Sequence, residues 1–224
     1  MLLPYKNRSQ AGRELATALQ PYANRPDVLI LALPRGGVPV AYEVAKALNI
    51  PLDLMLVRKL GLPGHEELAI GAIATGGIRV LNTEVIEGMA ISEAQIERIA
   101  AAELQELRRR EKAYRGERPN AEVQGHGVIL IDDGLATGAT MQAAIAAIRQ
   151  QRPAEILVAV PVAPKDTVAL LRDQADAVIC PATPEPFLGV GRWYEDFTQI
   201  TDAEVRDLLG RLWQEQPERE SSKV

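Results

Sequence analysis

Residues 128–140 read Val-Ile-Leu-Ile-Asp-Asp-Gly-Leu-Ala-Thr-Gly-Ala-Thr, and the fold is decided by that order. Four apolar residues, three of them β-branched, suit a strand buried on both faces of a parallel sheet. Asp132 and Asp133 then fall at its C-terminal end, the edge at which open α/β sheets bind ligands. The small residues Ala136, Thr137, Gly138, Ala139 and Thr140 let backbone N–H groups close on an anion. Hydroxyls and the N-terminus of a following helix, expected over 139–150, add to that attraction. Carboxylates beside an anion cradle match one ligand that carries both hydroxyls and a phosphate, a ribose 5-phosphate. The alternative is a generic strand–helix turn whose acids cap the helix or bind a metal, as in receiver-like folds.

Working outward, a helix is expected over 9–20, a strand over 28–33 and a helix over 38–48. A second strand at 53–57 leads into a loop, 58–67. Residues 70–74 and 78–81 flank Thr75-Gly76-Gly77 and read as a hairpin. A long helix over 92–113 opens with a Ser92/Gln95 capping box and ends in basic residues. After the helix at 139–150 come a strand at 155–160, a helix at 164–174 and a short strand at 177–180. Thr201 and Glu204 form a second capping box, opening a last helix toward Trp213. Strands alternating with helices, and apolar without period-two alternation, mean a mostly parallel, Rossmann-like α/β sheet flanked by helices. One domain is expected over 1–215, with a helical insertion at about 82–120, a small C-terminal hood at about 181–200, and a polar tail at 216–224.

The 224 residues carry a net charge of −5 with acids and bases mixed, which argues against nucleic acid as the main ligand. Nothing reads as a signal peptide or a membrane span. Cys180 is the single cysteine, so no intramolecular disulfide forms, and a cytoplasmic location is expected.

The 128–140 stretch resembles the motif by which type I phosphoribosyltransferases bind 5-phosphoribosyl pyrophosphate (PRPP). That resemblance implies that Asp132 and Asp133 hold the ribose hydroxyls, and that residues 136–140 hold the 5-phosphate. It also implies Mg²⁺ as cofactor, with Asp132, Asp133 and an acid in the hood near it. Three further segments fit what pyrophosphate transfer needs, namely a positioned sugar and a neutralised leaving group.

The first is Leu33-Pro34-Arg35-Gly36-Gly37-Val38-Pro39, which ends a strand and opens a helix. Arg35 offers a planar charged fork, while Gly36 and Gly37 let backbone N–H groups approach an anion. In the family the corresponding loop binds pyrophosphate, often through a cis peptide, to be sought here at Arg35 and Gly36. The second is Val57-Arg58-Lys59-Leu60-Gly61-Leu62-Pro63-Gly64-His65-Glu66-Glu67, similar to the mobile loop of adenine phosphoribosyltransferases. The likeness implies that Arg58 and Lys59 meet pyrophosphate oxygens, with Glu66, beside His65 and Glu67, a candidate proton-handling group.

The third is Phe187-Leu188-Gly189-Val190-Gly191-Arg192-Trp193-Tyr194-Glu195-Asp196-Phe197, which holds four of the chain's nine aromatic residues. It is similar to the hood of hypoxanthine-guanine phosphoribosyltransferases. Phe187 or Trp193 would stack on an acceptor, and Glu195 or Asp196 would supply the acid near the metal. The alternative is an aromatic clasp pinning the C-terminal segment to the core.

Hypoxanthine-guanine enzymes carry an acid at the position of Ala136, so that proton donor is missing here, as it is in adenine phosphoribosyltransferases. The full motif set looks closest to a bacterial branch of phosphoribosyltransferases with no assigned acceptor. The expected activity is Mg²⁺-dependent transfer of 5-phosphoribose from PRPP to a small-molecule nitrogen acceptor, such as a nucleobase, by a homodimer in nucleotide metabolism. The rival is a non-catalytic PRPP or nucleotide sensor on the same fold. Replacing Asp133 by Ala is expected to weaken Mg-PRPP binding and leave the fold intact. The insertion reads as a dimer surface, a lid or a brace.

Overall fold

The computed structural model describes residues 3–62 and 65–215, and for residues 65–68 the backbone alone. Five parallel strands make the central sheet: β1 (Val28–Ala32), β2 (Leu52–Leu54), β6 (Gly127–Ile131), β7 (Glu155–Ala159) and β8 (Ala177–Ile179). Their order across the sheet is β2-β1-β6-β7-β8. β1 and β6 lie in register, Val28 opposite Gly127 and Ala32 opposite Ile131.

The apolar runs are explained by two packed faces. Ile30, Ala32, Ile129, Ile131, Leu157 and Ala159 join one core. It is completed by α1 (Arg8–Ala18), α2 (Gly37–Leu48), α4 (Glu93–Arg115) and α7 (Asp202–Glu215). The alternate residues Leu29, Leu31, Val128, Leu130, Ile156 and Val158 join a second core with α5 (Ala139–Gln150) and α6 (Lys165–Arg172). Side chains alternate across a strand, so covering both faces demands hydrophobic residues at every position.

Two expectations need correction. The strand expected at 53–57 is split: Leu52–Leu54 belongs to the parallel sheet, while Val57 begins another. The loop expected over 58–67 contains β3 (Val57–Leu62) and the start of β4 (His65–Ala74). With β5 (Ile78–Leu81) these form a three-stranded antiparallel sheet. Leu60 is fully buried in the first core, which anchors β3. The register slips on either side of Gly61, where a residue without a side chain suits a bulge. Pro63 and Gly64 of the expected mobile loop lie outside the described residues, as do residues 216–224 of the expected tail.

The insertion is helical as expected, with α3 (Thr83–Gly88) preceding α4. The Ser92 N–H and Oγ donate to Gln95 Oε1 at 3.0 and 2.8 Å, closing the helix start. Helix α4 packs on β3, β4 and α7. Its last residue, Arg115, donates from Nε to Asp53 Oδ1 at 2.7 Å and from a second nitrogen to the Leu54 carbonyl. That buried pair clamps the insertion to the end of β2, so Arg115 serves a structural role rather than a phosphate site. The Arg108-Arg109-Arg110 run contributes surface pairs, Arg109 and Arg110 both to Glu106. The hood around 181–200 is tied to the N-terminal segment by a parallel bridge between Tyr5 and Tyr194.

Candidate active site

The chain turns from β1 to β2 on one side and from β6 to β7 and β8 on the other. The strand order therefore reverses between β1 and β6, and the crevice outside their C-terminal ends is where such sheets take ligands. Residues 34–37 follow β1 and residues 132–138 follow β6, so both anion loops hang over that crevice. The Pro34–Arg35 peptide is cis, at the Arg35 end of the expected pair.

The two loops touch. A Cβ added to Gly36 would lie 2.1 Å from Asp133 Oδ2, and one on Gly37 would lie 2.7 Å from the Ile131 carbonyl. Neither glycine tolerates a side chain, because the loop after β1 lies directly against the acidic pair.

In the second loop, Gly138 has φ 75° and stands at the N-terminus of α5. Its Cβ would meet the Thr167 methyl at 2.9 Å. Thr167 Oγ1, from α6, donates to the Ala136 carbonyl at 2.7 Å and fixes the loop from below. The N–H groups of Ala136, Thr137 and Gly138 donate to no other group among the described residues, and the first turn of α5 adds further unsatisfied donors. Such a row of free amides at a helix N-terminus suits a phosphate.

Asp133 is buried, and its Oδ2 accepts from Arg8 Nε at 2.7 Å, with side-chain exposures of 12% and 9%. Asp132 Oδ1 accepts from the Asp133 N–H at 2.8 Å and keeps a partly open face. Burial, followed by repulsion from Asp133, pushes the Asp132 carboxyl well above the usual carboxylate range. Burial raises Asp133 as well, against the pull of Arg8, which favours its charged form. Two crowded acids thus lie between the glycine turn after β1, whose Gly37 N–H donates to the Leu33 carbonyl at 3.1 Å, and the amide-lined loop before α5.

The chain was compared with known proteins. The sequence model described as the phosphoribosyl transferase domain matches residues 1–188. The chain belongs to the phosphoribosyl transferase family. It is 44% identical over 207 residues to putative phosphoribosyl transferases of two Mycobacterium tuberculosis strains, covering 92% of this chain and 46% of each relative. The chain thus spans about half the length of those curated relatives. The TT1426 protein of Thermus thermophilus has a similar structure, with a TM-score of 0.82 and 42% identity, over 92% of this chain and 97% of that one.

Within this phosphoribosyl transferase domain, the remaining candidate residues are dispersed. Arg35 faces Asp202, the first residue of α7, at 3.5 Å. Asp202 also accepts from the Tyr114 hydroxyl at 2.8 Å. Arg58 pairs with Glu103 on α4 rather than turning toward the acids. Lys59 lines a cleft of about 660 Å³ between the antiparallel sheet and α5, together with Ala139 and Thr140. The backbone of Glu66 lies in β4, and its side chain is outside the described residues.

In the hood, the Phe187 and Trp193 rings pack against each other, tilted by 31° with centres 6.3 Å apart. Both stay partly exposed while packing on the cluster of Tyr5, Val162, Ala182 and Tyr194. Asp196 is engaged within its own turn, accepting from the Thr198 N–H at 3.0 Å and Oγ1 at 2.6 Å. The Glu195 side chain is exposed, and its N–H donates to the Tyr5 carbonyl at 2.8 Å. Among the described residues, no group of three or more metal-ligating side chains forms, so Glu195 does not join Asp132 and Asp133 in a cluster.

Arg8, Thr167 and Tyr194 are the residues that sequence reasoning passed over. Tyr194 donates from its hydroxyl to the Asp133 carbonyl, and burial pushes its phenol far up. Arg8 left one signal: a cation in the first turn of a helix opposes the helix dipole, so it invites a search for a compensating acid. Arg8 also revises the expectation for Asp133→Ala, which would leave a buried guanidinium unpaired and destabilise the fold.

Proposed function

We propose that this domain transfers 5-phosphoribose from PRPP to a small nitrogen acceptor, a nucleobase by preference, with release of pyrophosphate. The observation that carries the reading is the contact between Gly36 and Asp133 at the switch point of the sheet. It sets the glycine turn that carries Arg35 on one side of the acidic pair and the amide-lined loop on the other, an arrangement that suits a sugar with an anion at each end. Residues 136–140 would hold the 5-phosphate. Asp132 and Asp133 would hold the 2- and 3-hydroxyls, and Arg35, Gly36 and Gly37 the pyrophosphate.

In the transfer, the acceptor nitrogen forms a bond to C1 as the C1–O bond to pyrophosphate breaks, and the leaving group takes the electron pair. Positive charge grows on the sugar and negative charge on the pyrophosphate, so fixed donors at the leaving oxygens lower the barrier. Arg35 would have to turn from Asp202 to take that role. Lys59 approaches from the hairpin beside Thr140. Arg58 would have to leave Glu103 first. Glu66 is the candidate to take the acceptor's proton.

Mg²⁺ suits this donor set. The ion takes one or two carboxylates and otherwise keeps water and substrate oxygens, and two adjacent carboxylates are what Asp132 and Asp133 offer. When bound with PRPP it would neutralise charge on the pyrophosphate. A homodimer working in the cytoplasm, on small molecules rather than nucleic acid or membrane, completes the proposal. No described helix is long and apolar enough to cross a membrane.

A second reading has one observation in its favour. Phe187 and Trp193 pack against each other at a tilt of 31° and present no open slot between them, which suits a domain that senses PRPP without an acceptor. The test is calorimetry with Mg-PRPP on the wild type and Asp132→Asn, followed by a pyrophosphate-release assay across purine and pyrimidine bases. Transfer predicts binding that Asp132→Asn abolishes, and base-dependent release well above PRPP hydrolysis. Tight binding with no release under any base would establish the sensor, and no binding would refute both.

A further inference from the structure

Arg8 lies at the meeting point of three parts of the chain. Its Nε donates to Asp133 Oδ2 at 2.7 Å. One terminal nitrogen donates to the Thr198 carbonyl at 2.9 Å. The guanidinium carbon sits 3.9 Å from the centre of the Phe197 ring. The stack is backed by the chain itself, since a Cβ on Gly191 would meet the Phe197 ring at 2.9 Å. The guanidinium is therefore fixed in position and plane by groups from α1, the ribose-side loop and the hood.

We infer that Arg8 is a positioning residue of the PRPP site, orienting the Asp133 carboxylate and locking the hood to it. Two physical consequences follow from its placement. First, Arg8 engages Asp133 Oδ2, which leaves Oδ1 to accept a sugar hydroxyl. A carboxylate held through one oxygen by a rigid fork presents the other in a fixed direction. Second, Arg8 offsets one of two adjacent negative charges. PRPP carries phosphate at both ends, and an uncompensated acidic pair would repel it. With Arg8 in place, the pair faces the ligand with about half its formal charge.

Lysine cannot replace arginine here. An ammonium is a point charge without the planar fork, so it cannot pair with Asp133, reach Thr198 and stack on Phe197 in one geometry.

The inference rests on the PRPP reading of the site, so wild-type Mg-PRPP binding is measured first by calorimetry. Its absence would overturn that reading and this role with it. Arg8→Lys is then titrated with Mg-PRPP and, separately, with metal-free pyrophosphate, which has no sugar hydroxyls and brings no ion to the acids. The expected result is a loss of PRPP affinity on the order of tenfold, from one charge-assisted hydrogen bond misplaced, with pyrophosphate affinity unchanged. Thermal unfolding without ligand verifies that the variant is folded. If it is not, Phe197→Leu removes the ring beneath the guanidinium while sparing the ion pair, and a smaller loss confined to PRPP is expected. PRPP binding equal to wild type, or equal losses for the two ligands, would overturn the inference.

Discussion

Asp132 is held in a state that the folded chain itself disfavours. Its carboxyl is raised by burial and by Asp133, and a raised acid contributes stability that is whole below its unfolded value and lost as pH climbs through the folded one. The acidic pair thus weakens the unliganded fold at neutral pH, as expected where a site is kept ready for a ligand. Asp132→Asn retains the oxygen that accepts from the Asp133 N–H and removes the charge. Its thermal midpoint should rise by a few degrees, corresponding to about 1 kcal/mol in a chain of this size. The gap over wild type should widen as pH rises above the ordinary carboxylate value of about 4. A lower midpoint at neutral pH would show that the acid is stabilising instead. The acids and the small-residue loop were legible because strand, acids and helix start are contiguous. Arg8 was not, because its partner lies 125 positions away and only the folded sheet brings them together.

Among the elements, α4 is tied to β2 and β3 by side chains. Two of its ion pairs, to Asp53 and to Arg58, differ in depth. Arg115 and Asp53 have side-chain exposures of 2% and 6%, while Arg58 and Glu103 stand at 27% and 26%. Removing Asp53 takes from the buried Arg115 guanidinium its nearest carboxylate, so Asp53→Ala should cost about 3–5 kcal/mol in urea unfolding. The half-exposed pair is screened, and Glu103→Gln should change stability by about 1 kcal/mol or less. Equal losses for the two substitutions would contradict this ranking. The helix was readable from its capping box and apolar spacing. The β3–β4 pairing beneath it was not, since Gly61, Pro63 and Gly64 suggest a loop and the partners that make Val57–Leu62 a strand are supplied by β4.

For the whole molecule, the segment before α1 and residues 193–196 close on each other. Tyr5 N–H donates to the Trp193 carbonyl at 2.9 Å, Glu195 N–H to Tyr5 and Asp196 N–H to Lys6. Tyr5 and Tyr194 pack ring to ring at 5.5 Å. These contacts form a unit separate from both sheet cores, centred on Tyr5, Val162 and Tyr194. Tyr194→Phe removes the bond to the Asp133 carbonyl and should cost about 1 kcal/mol. Hydrogen exchange should speed up together at Tyr5, Glu195 and Asp196, while Ile129 and Leu130 in β6 keep their protection. Acceleration throughout the central sheet would mean that the closure is not a separate unit.

That closure also sets an order of events during synthesis. The nascent chain presents Arg8 first and Asp133 much later, and both wait for Phe197 and Thr198 to emerge before the guanidinium gains its full set of contacts. The central sheet can form while the hood is still inside the ribosome. A translating chain would therefore hold the paired strands of the central sheet, one face still lacking α7, and an acidic crevice completed only once its last stitch has been made.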